Sequence, residues 1–423
     1  MSVGLGLIIS GVATYGFLSV TKRALGEDAF APVSLLWFLT FILAPGFFLP
    51  VEQEVGRALA HRRALGQGSR PVVQRAAVLQ AILLVTITIA MVALSPLLVT
   101  HLFDGSWSLF AALLIAFWCY ALAHLTRGIW SGTGRFHAYA MLMGSEGVVR
   151  LAFAVALAAF GVKAVGPYGI LIGLPAVAGV LISRRGQHEV LEPGPEASWT
   201  EITPNLGWLL AGSVFAAALL NAGPIAASLL KTSDAQNALV TQLSTGVIIA
   251  RVPLFLFQAV QAALLPKLAR LAARGALDDF VKGFRKLLIL VLIVGAAAVT
   301  GAFRLGPFVV KVFFDSVLSL RTLTLLALSS ALYMVALALA QAIIALQGHA
   351  KVAFGWALGM ATFVAVVAIP NDDLLLRVES ALVAGSLGAL VVFAVVLRIL
   401  IHTGAQPDED SLMEAFDSLP MEP

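Results

Sequence analysis

Twelve apolar runs of about 18 to 25 residues recur along the chain, and no other feature constrains its fold as strongly. At a rise of about 1.5 Å per residue, a helix of that length spans the ~30 Å hydrocarbon core of a bilayer. The runs lie near 3–20, 31–51, 76–99, 107–126, 138–160, 166–183, 205–230, 238–264, 287–303, 322–346, 352–369 and 379–401. They lack the period-two alternation of membrane-barrel strands, so helices are predicted. A helix also satisfies its backbone N–H and C=O groups within one segment, as lipid demands.

Composition agrees. Of the 423 residues, 60% are hydrophobic and 12% are charged, against roughly 25% charged in a typical soluble domain. That excludes a soluble globular enzyme, and it excludes disorder, which needs charge and few apolar residues. The single cysteine, Cys119, cannot form an internal disulfide and reads as a small buried hydrophobe. No Gly-x-x-x-x-Gly-Lys-Ser/Thr loop, His-Glu-x-x-His, paired-cysteine metal spacing or Gly-x-Ser-x-Gly elbow occurs. An enzyme, a cofactor, a metal site and a nucleic-acid partner are therefore not expected. Any transport is expected to run downhill or on an ion gradient rather than on ATP.

Lys and Arg in the loops set orientation. With a cytoplasmic N-terminus, 17 of the 27 fall in inner loops or span ends and eight in outer ones; Arg150 and Arg251 lie within spans. Both termini are therefore expected inside the cytoplasmic membrane.

The expected fold class is an all-α polytopic membrane protein with about twelve transmembrane helices. They divide into a six-helix lobe over 1–183, a polar cytoplasmic linker over 184–204 and a second six-helix lobe over 205–401. An acidic tail, 402–423, is expected to be disordered. The lobes echo each other: Gly4-Leu5-Gly6 with Gly11 resembles Asn205-Leu206-Gly207 with Gly212. An even number of spans per lobe makes the repeat parallel, with a pseudo-two-fold axis along the membrane normal. The alternative is that Gly, Pro and basic residues recur through composition alone.

Charges at membrane depth cost about 2.5 to 3.5 kcal/mol each on insertion scales. Three stand well inside the runs: Glu146, Arg150 and Arg251. Glu146 and Arg150 are four apart on one helix face. They form either a neutral pair that lowers its own insertion cost, or a cavity-lining pair that holds an anion or responds to protons. Arg251 has no acid in its own run and needs a carboxylate from another helix, backbone carbonyls or a ligand phosphate. Tyr120 and His124 also share a face, Asn221 adjoins Gly223-Pro224, and Gln258 lies in the eighth run. Interhelical hydrogen bonding is the default role of such groups, and cavity lining is the sharper alternative. Gly223-Pro224 and Pro253 either break their helices and free backbone groups for a site, or are tolerated kinks. Residues 52–63 extend the second run as an amphipathic cytoplasmic helix, and basic 267–286 is its counterpart. Both suit anionic membrane lipid.

Several segments resemble one family. Thr21-Lys22-Arg23-Ala24-Leu25-Gly26-Glu27-Asp28-Ala29-Phe30 is similar to the connection after the first span of polysaccharide flippases. Pro50 through Arg57, Gly132-Thr133-Gly134-Arg135-Phe136, and Arg251-Val252-Pro253 through Leu265-Pro266-Lys267-Leu268 resemble further segments of these proteins. The resemblance covers nearly the whole chain and is to the multidrug/oligosaccharidyl-lipid/polysaccharide (MOP) exporter superfamily, in its Wzx-like polysaccharide branch. It implies two MATE-like lobes, alternating access and a cationic cavity for a polyprenyl-pyrophosphate-linked oligosaccharide. By position it assigns Arg150 and Arg251 to that cavity. Glycosyltransferases or a polymerase of the same pathway are the implied partners. Two sister branches fit less well. Multidrug exporters commonly carry an acid in the first span, and residues 3–20 have none; lipid II flippases usually have fourteen spans. The expected function is a lipid-linked oligosaccharide flippase. The alternatives are an ion-coupled multidrug antiporter of the same superfamily and a membrane polysaccharide polymerase or ligase.

Overall fold

Every regular element among the described residues is helical. The structure is a computed structural model and describes residues 2–187, 191–202, 206–233, 236–254, 257, 277–314, 317–346 and 348–402. The helices are α1 (Ser2–Leu25), α2 (Glu27–Ala64), α3 (Arg70–Ala93), α4 (Ser95–His101), α5 (Trp107–Gly132), α6 (Phe136–Ala159), α7 (Val165–Gly173), α8 (Pro175–Ser183), α9 (Leu206–Leu230), α10 (Asn237–Ala250), α11 (Leu277–Phe314), α12 (Leu320–Ala345), α13 (His349–Val367) and α14 (Leu374–His402). Eleven segments among the described residues are long and apolar enough to cross a membrane. They match all the expected runs except the eighth, of which α10 covers Asn237–Ala250 and which leaves the described residues after 257. The chain is a multi-pass membrane protein. The acidic tail beyond His402, the first half of basic 267–286 and Gln258 lie outside the described residues.

The helices overrun the apolar runs where nothing stops them. α2 continues without a break through the amphipathic 52–63. α11 spans 38 residues and carries Pro307 inside it. Breaks fall at prolines that open a new first turn, where the missing N–H costs least. The third run divides between α3 and α4, with Pro96 in the first turn of α4. The sixth divides at Leu174, and Pro175 begins α8. Gly223-Pro224 behaves otherwise: α9 runs straight through it. Before Pro253 the first of the two alternatives holds, since α10 ends at Ala250 with Arg251 as its C-cap.

The described chain forms two compact units. One comprises residues to Leu25 and Leu39–Ser213; the other comprises Gly26–Phe38 and the chain from Val214. In the second unit, the start of α2 is tied to α10. The Ser34 hydroxyl meets Ser244 Oγ at 3.1 Å, and Thr241 Oγ1 donates to the Glu27 carbonyl at 2.9 Å. Within each unit, helices approach through small residues. A Cβ on Gly6 of α1 would lie 2.6 Å from the Ala140 carbonyl oxygen of α6. A Cβ on Gly385 of α14 would lie 2.9 Å from the Gly359 carbonyl oxygen of α13. Lipid is as apolar as leucine, so close van der Waals contact of this kind is what holds such helices together.

The polar connection between the runs is fastened within the first unit over residues 191–202. Arg62, near the end of α2, is 2% exposed and fastens it. Its Nε and Nη2 donate to the Glu201 carboxylate at 2.8 and 3.1 Å. Nη1 donates to the Pro195 carbonyl at 2.8 Å and to that of Gly68 at 3.2 Å. Ala197 and Ile202 pack into an apolar cluster with Val51, Val55, Val72 and Val73. The Arg62 bonds hold the Glu201 carboxyl below the usual glutamate value of 4.5, with help from the Ser198 N–H and against partial burial. A carboxylate whose pKa is lowered by folding contributes stability above its unfolded value, and that contribution fades as pH falls through the folded value. Protease cleavage within 191–202 is therefore expected to rise as pH drops below about 4.5. Glu201→Gln is expected to cleave at a raised rate with little pH dependence. A wild-type cleavage rate that is flat from pH 7 to 3 would remove this role for the ion pair.

Candidate functional site

The first unit buries a polar cluster built from three helices. α5 presents Tyr120, His124 and Arg127 at i, i+4 and i+7, and α6 presents Tyr139, Met143, Glu146 and Arg150 at matching spacing. Both are single helical faces. Glu52 faces them from α2. The approach is set by glycine: a Cβ on Gly128 would lie 2.8 Å from the Glu52 carbonyl oxygen, and one on Gly132 2.7 Å from that of Gly56.

Glu146 and Arg150 form the ion pair that their spacing predicts. They are 5% and 1% exposed. The Tyr120 hydroxyl accepts from Arg150 Nη2 at 2.9 Å and donates to Glu146 Oε1 at 3.0 Å. Arg150 Nε donates to the Leu171 carbonyl at 3.2 Å. That carbonyl is available because residue 175, four positions on, is proline and has no N–H to offer.

The other end of the cluster centres on Glu52. His124 Nδ1 lies 2.7 Å from Glu52 Oε2. Arg127 Nε lies 3.1 Å from the same oxygen, and the Tyr139 hydroxyl donates to Glu52 Oε1 at 3.1 Å. Arg127 Nη2 is also 2.7 Å from His124 Nδ1. Tyr120, His124, Glu146 and Arg150 were expected here from sequence. Sequence does not single out Glu52 and Arg127, which lie just past the ends of the runs 31–51 and 107–126, nor Tyr139, which lies inside the run 138–160. The continued face Tyr120-His124-Arg127 was the signal that could have found Arg127.

The second unit holds Arg251, which the sequence left without a partner. Its Nη1 donates to Asn221 Oδ1 at 2.9 Å, and Nη2 donates to the Leu220 carbonyl. Residue 224, four positions after Leu220, is proline, so this carbonyl too lacks its helical donor. The proline frees a backbone acceptor without breaking α9. The guanidinium stacks over Phe38 at 5.1 Å from the ring centroid. Arg251 lines a small cavity with Leu219, Val247, Ser329, Tyr333 and Ser386. A second acid that sequence reading passed over, Glu379, is fully buried in the first turns of α14, 3.5 Å from Arg321 Nε. Among the described residues no cluster of His, Cys, Asp and Glu could hold a metal.

With both clusters placed, the fold can be compared. No family model and no curated protein matches the sequence. Solved structures do match. An inward-facing multidrug-resistance MATE family transporter of the MOP superfamily has a TM-score of 0.71 at 16% identity, over 96% of each chain. An outward-facing structure of such a transporter gives 0.66 at 16%, again over 96% of each. The Vibrio cholerae MATE transporter VcmN in its bent form gives 0.65 at 12%, over 97% of this chain and 96% of that one. The chain has the fold of the MATE transporters. Likeness at this identity carries the fold and the two-lobe plan, and it gives no support to the expected Wzx-like branch over its relatives.

Proposed function

We propose that this chain is a secondary transporter that works by alternating access and exports amphipathic organic molecules in exchange for an ion. The observation that carries this reading is the whole-length likeness to multidrug transporters solved in both inward- and outward-facing forms. The polar groups fit. Arg150, expected to meet a substrate pyrophosphate, is instead neutralised by Glu146 and held by Tyr120 and the Leu171 carbonyl. A guanidinium already paired with a carboxylate offers a pyrophosphate little net positive charge, which suits a neutral or cationic amphiphile better. Without an ATP-cradling loop the chain would move its substrate downhill or on an ion gradient, and uphill export calls for the gradient.

The test is dye flux into liposomes that hold the full-length chain. Ethidium is expected to accumulate on imposing a proton or sodium gradient, at a rate that saturates with dye. Flux equal to that of protein-free liposomes under both gradients would overturn the reading.

Lipid-linked oligosaccharide export is the second reading. It is favoured by Arg251, a guanidinium at a cavity, and by a basic membrane body: residues 1–401 carry 27 basic and 17 acidic side chains. Arg251→Ala separates the two. Under the flippase reading it is expected to abolish glycan export in a strain lacking its own flippase. Under the exporter reading, ethidium flux is expected to fall less than ~10-fold, since no cationic dye needs that charge.

A further inference from the structure

His124 Nδ1 makes two contacts that a single protonation state cannot satisfy. A guanidinium only donates, so Arg127 Nη2 at 2.7 Å calls for a bare Nδ1 lone pair. An ionised carboxylate only accepts, so Glu52 Oε2 at 2.7 Å calls for an Nδ1–H. One ring nitrogen has one in-plane position and cannot hold both. Arg127 therefore stands between two acceptors, the Glu52 carboxylate and the His124 nitrogen, and one proton decides which of them it serves.

We propose that Glu52, His124 and Arg127 form a proton-binding site in which proton uptake by Glu52 transfers Arg127 from the carboxylate to the imidazole. In the unloaded state Glu52 is ionised. The imidazole is the Nδ1–H tautomer and donates to Oε2, Arg127 Nε lies beside the same oxygen, and Tyr139 donates to Oε1. In the loaded state an O–H bond forms on the Glu52 carboxyl with a proton from water, and the charge that held Arg127 is gone. The imidazole gives up its Nδ1 proton to water and takes one from water on Nε2, with no net change on the ring, and Nη2 donates to bare Nδ1. The net change is one proton gained, and it returns to water when the site reverts.

The surroundings favour such an exchange. Glu52, His124 and Arg127 are 7%, 3% and 8% exposed, so the charge pair is little screened by solvent. The titratable and charged groups facing the site are Tyr120 on α5 and Tyr139, Glu146 and Arg150 on α6; Glu54 and Arg57 follow Glu52 on α2. Glu146 and Arg150 neutralise each other, and Glu54 pairs with Arg57 at 2.8 Å. That leaves one carboxylate, one imidazole and one guanidinium to respond together. The other partner of Arg127 is weak: Nη1 donates to the Met143 thioether at 3.1 Å, which leaves the guanidinium little to hold it on one side. As the coupling site of an ion-driven exporter this rests on the function proposed above; as a proton site it does not.

Two measurements on the full-length chain in detergent test the site itself. Infrared difference spectra between neutral and acid pH are expected to show a protonated carboxyl band that Glu52→Gln removes. Nitrogen NMR of His124 is expected to show Nδ1 passing from protonated to bare over the same pH range. If Glu52→Gln does not fold, the wild-type His124 titration decides alone. A His124 tautomer that is constant across the range, or a carboxyl band unchanged in a Glu52→Gln chain that melts like wild type, overturns the proposal. In liposomes, ethidium flux driven by a pH gradient is expected to fall at least tenfold in Glu52→Gln. Equal gradient-driven flux in both chains would overturn the coupling role of the site and leave the exporter reading intact. A band and tautomer that titrate as expected, with no dye flux in wild type, would support the site and refute the exporter reading.

Discussion

Glu146→Ala is expected to destabilise the first unit by about 3–5 kcal/mol, because it leaves a buried guanidinium without its counter-charge. Arg150 is 1% exposed and cannot reach water from where it sits. Two of its other partners, the Tyr120 hydroxyl and the Leu171 carbonyl, are neutral. Tyr120 loses its carboxylate acceptor in the same step. In a thermal melt of the detergent-solubilised chain, the loss is expected as a fall of roughly 10 °C or as failure to extract folded protein. Removing both charges tests the cause. A buried ion pair replaced by apolar groups is often close to neutral, so Glu146→Ala with Arg150→Leu is expected to recover most of the lost stability. A single variant that melts within about 2 °C of wild type would show that Arg150 has another counter-charge. A double variant no better than the single would show that packing, not charge, is at stake.

Much of the fold is legible in the sequence. The apolar runs gave the class and nearly all the spans, because the cost of unsatisfied backbone in lipid leaves few alternatives. The pairing of Glu146 with Arg150 followed from a four-residue spacing on a helix. What escaped reading lies where helices outlast their apolar runs. Arg127 reads as a loop charge and Glu52 as a surface charge on the amphipathic 52–63 helix, because hydropathy marks the membrane, whereas a helix and its buried face end only where the backbone is capped or broken. α2 has no such stop before Ala64, so Glu52 stays helical and is turned inward against α5. Prolines were half legible. Pro175 and Pro224 both remove the N–H that a carbonyl four residues earlier would accept, but only the first coincides with a helix boundary. In both cases a buried arginine from the helix next to it in the chain takes the freed carbonyl. Sequence could identify the orphaned acceptor and the unpartnered cation separately. It could not join them, because joining Arg251 to Leu220 needs the tertiary packing of α9 against the end of α10.

Gly132→Val is expected to cost as much as any charge deletion, by a different route. A Cβ at position 132 would lie 2.7 Å from both the Gly56 carbonyl oxygen and Leu59 Cβ, and 3.0 Å from Gly56 Cα. Two of those atoms are backbone and cannot rotate away, so α2 and α5 must separate. Overpacking alone costs about 1–3 kcal/mol, occasionally more. The separation also acts one to two turns away. It draws Glu52 from His124 and Arg127, whose contacts at 2.7 and 3.1 Å tolerate little stretching. Breaking that buried pair carries a further cost of up to about 3–5 kcal/mol. The expected result is a chain that extracts poorly and, where it folds, has lost the acid-induced change in the His124 nitrogen signal. Gly11→Ala is the matched control, since a Cβ there meets nothing within 4 Å. Equal melting of Gly132→Val and Gly11→Ala would mean that α2 and α5 do not approach this closely. A Gly132→Val chain that melts low but keeps a normal His124 titration would mean that the glycine contact supports the fold without positioning Glu52.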